Sequence, residues 1–133
     1  EYPALDYRAG EHIGIYGEMP EPTGLGKIVV ATGGTATTMA AVARAVVPYD
    51  PEKIRGAEIT RREAERQVAL YASLTIPQRA EIPGMHRGRE DVMLAGACIV
   101  AETMRFFGAQ RLIVADCGLR HALAQEMLRM NEK

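Results

Sequence analysis

The stretch that most constrains this chain is Lys27–Val42, KIVVATGGTATTMAAV. Residues Ile28 to Thr32 are all apolar or β-branched, two glycines follow, and then comes a run rich in Thr, Ala and Met. A short apolar run bounded by turn residues reads as a buried strand, and the small residues after the turn open a helix. Gly33 and Gly34 permit positive φ and carry no Cβ, so another group can approach the backbone closely. The hydroxyls of Thr35, Thr37 and Thr38 and the free amides of the first helical turn are expected to face one space. Folds with strand–turn–helix units seat anions and nucleotides in this way. The same pattern also serves as plain scaffold, and the turn alone does not choose between the two.

A chain of 133 residues makes one domain that buries roughly two-thirds of its unfolded surface. Its 47% hydrophobic and 25% charged residues are ordinary globular values. A net charge of −1 gives no global attraction to nucleic acid or to an anionic membrane, so any polyanion needs a local basic cluster. No apolar run approaches the ~20 residues that cross a bilayer, and no signal-peptide pattern is present. Cys98 and Cys117 lie far apart without a Cys-x-x-Cys, which argues for a reducing, cytoplasmic setting. The first residue is Glu1 rather than methionine, which fits a piece of a longer protein or a processed chain.

In order along the chain, residues 1–26 form an irregular segment with Pro3, Pro20 and Pro22 and a candidate edge strand at Ile13–Tyr16. His12 has no second His or Cys nearby to complete a metal site. Thr35–Val46 reads as a helix of small residues with Met39, Ala40, Ala43 and Val46 or Val47 as its apolar stripe, ended by Pro48 and Pro51. Thr60 and Glu63 form a capping box, and Ala64, Val68, Leu70, Tyr71 and Leu74 give the helix after them one face. A short helical turn lies between Pro77 and Pro83, and His86 falls in the loop beyond it. Arg89-Glu90-Asp91 is expected to open a helix whose dipole suits the two carboxylates. From Val92 to Phe107 that helix is apolar nearly all round, which predicts a central helix covered on several sides, with Cys98 buried. Gly96 predicts a close crossing there, and Gly108 stops the helix. Arg111–Asp116 is a second buried strand. Leu119, Leu123, Met127 and Met130 are the expected core face of a last helix. Asp116 stands where open α/β sheets place ligands, or equally caps the helix that follows.

Three ordered stretches stand out: Thr32–Thr38, then Ile82-Pro83-Gly84-Met85 with Arg89–Val92 and Ala95-Gly96-Ala97, then Val114–Arg120. Together they resemble the exopolyphosphatase / guanosine pentaphosphate phosphohydrolase (Ppx/GppA) family. The resemblance covers about residues 27–130 and implies an α/β fold. Specifically, it implies a partial actin-like domain (ribonuclease H-like, of the actin / hexokinase / Hsp70 superfamily), with a small sheet of two or three strands and four or five helices. It implies that residues 27–133 are the C-terminal half of the second actin-like domain. It also implies that Gly33, Gly34, Thr35, Thr37, Thr38, Arg89, Asp116 and Arg120 are candidates for binding ligand or phosphate. Glu90 stands in the middle of the family's Arg-x-Asp, and His121-Ala122 replace the usual Glu-Gly.

The family's Asp-x-Gly-Ser loop, its catalytic glutamate and its Asp-Ile-Gly-Gly-Gly-Ser-Thr loop do not occur in this sequence. No Ser-His-Asp set, paired acidic motif or metal-ligand cluster is evident either. Phosphoryl transfer needs clamps on the phosphoryl oxygens, usually with Mg²⁺, and a group that orients the attacking water. The only clamps in sight are the Gly33–Thr38 turn and Arg79, Arg87, Arg89 and Arg120. The expectation is therefore a phosphohydrolase fragment, inactive alone and without its own catalytic residues. By resemblance, Mg²⁺ would be bound by the longer protein and not by this fragment. The partners implied are polyphosphate or a guanosine polyphosphate, the remaining half of the protein, and a second copy in a homodimer. Neither nucleic acid nor membrane is expected to bind. The rival expectation is a non-catalytic actin-like sensor or oligomerisation module.

Overall fold

A computed structural model describes residues 28–115 and 118–131; Asp116, His12 and the candidate strand at Ile13–Tyr16 lie outside the described residues. The elements run β1 (Ile28–Thr32), α1 (Gly34–Ala43), α2 (Pro51–Ile54), β2 (Glu58–Thr60), α3 (Arg61–Ser73), α4 (Ile76–Ala80), α5 (Met93–Phe106), β3 (Arg111–Ala115) and α6 (Leu119–Asn131). The architecture is a small, helix-rich α/β unit, as expected.

The sheet has the order β1-β3-β2. Parallel pairing matches Ile28 with Arg111 and Thr32 with Ala115, so β1 and β3 finish at the same edge. β2 pairs antiparallel with β3, with Glu58 facing Ile113 and Thr60 facing Arg111. This third strand was not foreseen at Glu58–Thr60. It is three residues long, and its one buried side chain, Ile59, gives no period to read.

One face of the sheet is covered. Leu112, Val114 and Ile59 are buried, Val29 and Ala31 pack on the same core, and Met39, Ile54, Tyr71, Met93 and Met104 fill it. On β1 the alternate residues Ile28 and Val30 are 52% and 67% exposed, and among the described residues this strand of interior composition stands at the edge of the sheet.

The helices correct several expectations. α1 buries every residue from Ala36 to Val42; of the rest of the expected stripe, Ala43 is exposed, and of the pair Val46 or Val47 it is Val46 that is buried. Thr60 caps α3 by accepting from the Glu63 amide at 3.2 Å, but the Glu63 carboxylate turns to Arg66 and Gln67, so the box is half made. Arg89, Glu90 and Asp91 precede α5 instead of opening it; the helix has no acidic residue in its first turn. Nor is α5 covered all round, because Ile99 and Phe106 face outward and Cys98 is only half-buried. Leu123, Met127 and Met130 of α6, expected in the core, are all exposed. The described residues leave their apolar row uncovered, and composition alone cannot supply a neighbour. Gly108 (φ 64°) does end α5, and the Ala109 amide reaches back to the Met104 carbonyl at 2.8 Å.

Candidate functional site

The two turn glycines have different physical reasons. Gly33 sits at φ 102°, ψ 171°, a conformation L side chains rarely adopt, and its absent Cβ would meet nothing within 4 Å. It is there for the backbone. Gly34 has no positive φ; a Cβ there would run into the guanidinium of Arg89. It is there for the close approach.

Gly33 is the N-cap of α1, and its carbonyl accepts the first helical bond from the Thr37 amide at 3.1 Å. α1 has neither a side-chain cap nor an acidic residue in its first turn. The positive end of the helix thus has no anion of its own first turn or cap, and a cation, Arg89, lies beside it.

The three hydroxyls do not share one space. Thr37 Oγ1 folds back onto the Gly33 and Gly34 carbonyls, both at 3.3 Å. Thr38 is 1% exposed inside the core, and its Oγ1 has no hydrogen-bond partner among the described residues. Thr35 packs on α5, where a Cβ on Gly96 would come within 2.7 Å of Thr35 Cγ2. Gly96 therefore marks the close α1–α5 crossing that its cost in a helix implied. Of the threonines, only Thr35 stays at the mouth of the turn without being back-bonded or fully buried.

Arg89 is half-buried and reaches the turn because the segment after α4 is laid along α1. Gly84 (φ 87°) packs its Cα against the Ala41 carbonyl, where any Cβ would collide. His86–Arg89 is a tight turn with Gly88 at φ 77°, closed by the Arg89 amide on the His86 carbonyl at 3.1 Å. The Arg89 carbonyl accepts from Val92 and Met93, and the Tyr49 ring meets His86 edge-on at 5.4 Å. The Ile82–Arg89 stretch is thus a strap across α1 whose last side chain lies on the glycine turn.

The other arginines divide. Arg87 is exposed. Arg79, a clamp by sequence, is 9% exposed and donates to main-chain carbonyls of Tyr71 at 2.8 Å and Glu90 at 3.3 Å, so it cannot reach a ligand itself. α6 begins next to the site, since a Cβ on Gly118 would stand 4.0 Å from Thr32 Oγ1, while the Arg120 side chain lies outside the described residues.

The missed residue is Gln67, fully buried on α3. Its Nε2 donates to the Met39 carbonyl of α1 at 2.9 Å and to Glu63 Oε1 at 2.8 Å; its Oε1 accepts from the Tyr71 hydroxyl at 2.9 Å. Burial pushes the Tyr71 hydroxyl well above its ordinary range, keeping it a donor. Gln67 falls on the same helical face as Ala64 and Tyr71, and only that spacing could have flagged it. Among the described residues, no group of three or more His, Cys, Asp or Glu could hold a metal ion. Among them, too, no helix is long and apolar enough to cross a membrane.

Comparison with known proteins fits this geometry. Residues 21–131 match the Ppx/GppA phosphatase family, starting six residues ahead of Lys27. A bifunctional 3-dehydroquinate synthase/phosphatase of Fusobacterium nucleatum is 31% identical over 88 residues, which is 66% of this chain and 13% of that protein. Exopolyphosphatase 2 of Mycobacterium tuberculosis is 32% identical over 84 residues, 63% of this chain and 26% of that protein. The crystal structure of the Aquifex aeolicus family member superposes with a TM-score of 0.72 at 33% identity, over 79% of this chain and 35% of that one. The chain thus spans about a quarter or less of the curated relatives and about a third of the solved one.

Proposed function

The chain belongs to the Ppx/GppA phosphatase family, and from that premise we propose that it forms one wall of a phosphate-holding cleft in an exopolyphosphatase-like phosphohydrolase. The observation that carries this reading is Arg89, whose guanidinium lies against Gly34 at the uncapped N-terminus of α1. A guanidinium and a helix N-terminus side by side are a complementary pair for an oxyanion. Gly33, Gly34, Thr35 and Arg89 would touch phosphate oxygens, Thr37 and Thr38 would hold the turn, and Asp116 and Arg120 would approach from the neighbouring strand end. Residues 27–133 would be the C-terminal half of the second actin-like domain. The catalytic glutamate, both phosphate loops and the residues that hold Mg²⁺ would lie on the part that relatives have beyond this span. Polyphosphate or guanosine pentaphosphate would be the substrate, hydrolysed in the cytoplasm by the longer protein and not by this chain alone.

Calorimetric titration with tripolyphosphate, ADP and a guanosine polyphosphate, with and without Mg²⁺, tests the reading. Saturable binding that Arg89→Gln weakens roughly tenfold supports it, since a hydrogen-bonded charge pair contributes about that much. Binding indifferent to Arg89 overturns it. Phosphate release by the longer protein then identifies the substrate.

The outward faces favour a second reading beside the first. Among the described residues β1 has a free edge, Val30 is 67% exposed, and Ile99 and Phe106 form an outward row on α5. An open apolar edge pairs with another strand. We assign it to the remaining half of the same polypeptide, or to a second copy when that half is absent. A sedimentation profile that stays monomeric at every concentration would exclude the dimer.

A further inference from the structure

Five described arginines meet a carboxylate: Arg55, Arg61, Arg66 and Arg105 pair with Glu52, Glu65, Glu63 and Glu102 on their own helices or caps, and Arg111 pairs with Glu58 across the sheet. Arg79 differs. It is nearly fully buried, yet among the described residues it has no carboxylate partner. Its Nε binds the Tyr71 carbonyl of α3 and its Nη1 the Glu90 carbonyl of the turn before α5. Taking a guanidinium out of water is unfavourable unless its donors find acceptors in a fixed arrangement. Here the acceptors are main-chain carbonyls of two separate segments, the end of α3 and the turn before α5.

The second carbonyl belongs to the residue after Arg89. The Arg89 amide is already fixed on His86, and its carbonyl on Val92 and Met93. With Glu90 tied to α3 through Arg79, the backbone is held on both sides of Arg89 and at Arg89 itself. The side chain then leaves in one direction, toward Gly34.

We infer that Arg79 is a positioning residue: by bridging the Tyr71 and Glu90 carbonyls it orients the turn that lays the Arg89 guanidinium on Gly34. The ligand consequence rests on the phosphate-wall reading above; the placement of Arg89 does not.

The test uses the full chain with arginine Nε–Hε resonances assigned by NMR, together with tripolyphosphate titration. In Arg79→Met, the Arg89 resonance moves to the position of a solvent-averaged arginine and tripolyphosphate affinity falls roughly tenfold. In an Arg89→Gln background the same substitution leaves affinity unchanged, because the two act in series. Arg79→Lys keeps the charge but loses the fork, so it restores less than half of the affinity lost. If Arg79→Met unfolds the chain, Arg79→Lys carries the comparison. An Arg89 resonance that stays in place in a folded Arg79 variant overturns the inference. So does an affinity loss that persists undiminished without Arg89. If the resonance moves while wild-type chain binds no tripolyphosphate, the positioning stands and the phosphate-wall reading fails.

Discussion

α1 and α5 look alike in sequence, each a run of apolar and small residues with one Gly, yet the fold treats them differently. α1 buries seven consecutive residues, Ala36 to Val42, under α3, α5, the sheet and the Ile82–Arg89 strap. α5 buries only Met93, Ala97 and Met104 and leaves Ile99 67% and Phe106 52% exposed. Side-chain size explains much of this. Ala, Thr and Gly let neighbours reach the α1 backbone, as Gln67 does at the Met39 carbonyl and Gly84 at the Ala41 carbonyl. The large outward residues of α5 and α6 hold neighbours off and present a surface instead. An all-apolar helix is therefore covered by something, but not necessarily by its own chain.

The strongest way to break the contrast is to prise the strap from α1. Gly84→Ala puts a Cβ at positive φ into the Ala41 carbonyl and is expected to cost about 3 kcal/mol, from left-handed strain plus overpacking. Gly88→Ala, also at positive φ but with nothing near its Cβ, should cost only about 1 kcal/mol. Urea unfolding of both variants measures the difference, and equal costs would mean that the strap does not grip α1.

The next test compares the two sides of α5. Met104→Ala should cost about 2–4 kcal/mol as a core truncation, whereas Ile99→Ala should stay within about 0.5 kcal/mol. Repeating the denaturation at increasing protein concentration sharpens it. An Ile99→Ala cost that grows with concentration would show the outer row covered by a second copy.

The smallest expected effect concerns the α3–α1 tie. The hydrogen bonds from Arg66 hold the Glu63 carboxyl below its ordinary value of 4.5, against the opposing effect of partial burial. A carboxyl lowered in the folded state stabilises fully above its unfolded value and loses that contribution as pH falls through the folded one. Glu63→Gln should therefore cost less than about 1 kcal/mol at pH 7, Arg66 being half exposed, and flatten the acid side of the stability profile. Thermal unfolding between about pH 3 and pH 7 reads it; an unchanged acid slope would remove Glu63 from the tie.

Much of this was legible in sequence because it is local. The strand–Gly-Gly–helix unit, the two apolar strands β1 and β3, the Thr60 cap, the Gly108 stop and the close crossing at Gly96 each follow from residue types a few positions apart. The family and its fold were legible because three motifs keep their order. What was not legible lay between distant segments. Thr35, Thr37 and Thr38 read as three ligand hydroxyls, but helix rotation sends them to α5, to their own backbone and into the core. Arg79 and Arg89 read as equivalent clamps, ten residues apart on one basic stretch.

By itself, then, the sequence determined most of the segments that become strands, helices and tight turns, β2 excepted, since backbone freedom, capping and hydrophobic period act within a turn or two of chain. Only the tertiary structure decided which glycine serves a dihedral angle and which makes room for a guanidinium. It also decided which arginine braces the turn and which reaches it, and which apolar faces close on the core. Those outcomes depend on what arrives from elsewhere in the chain, and local sequence carries no term for that.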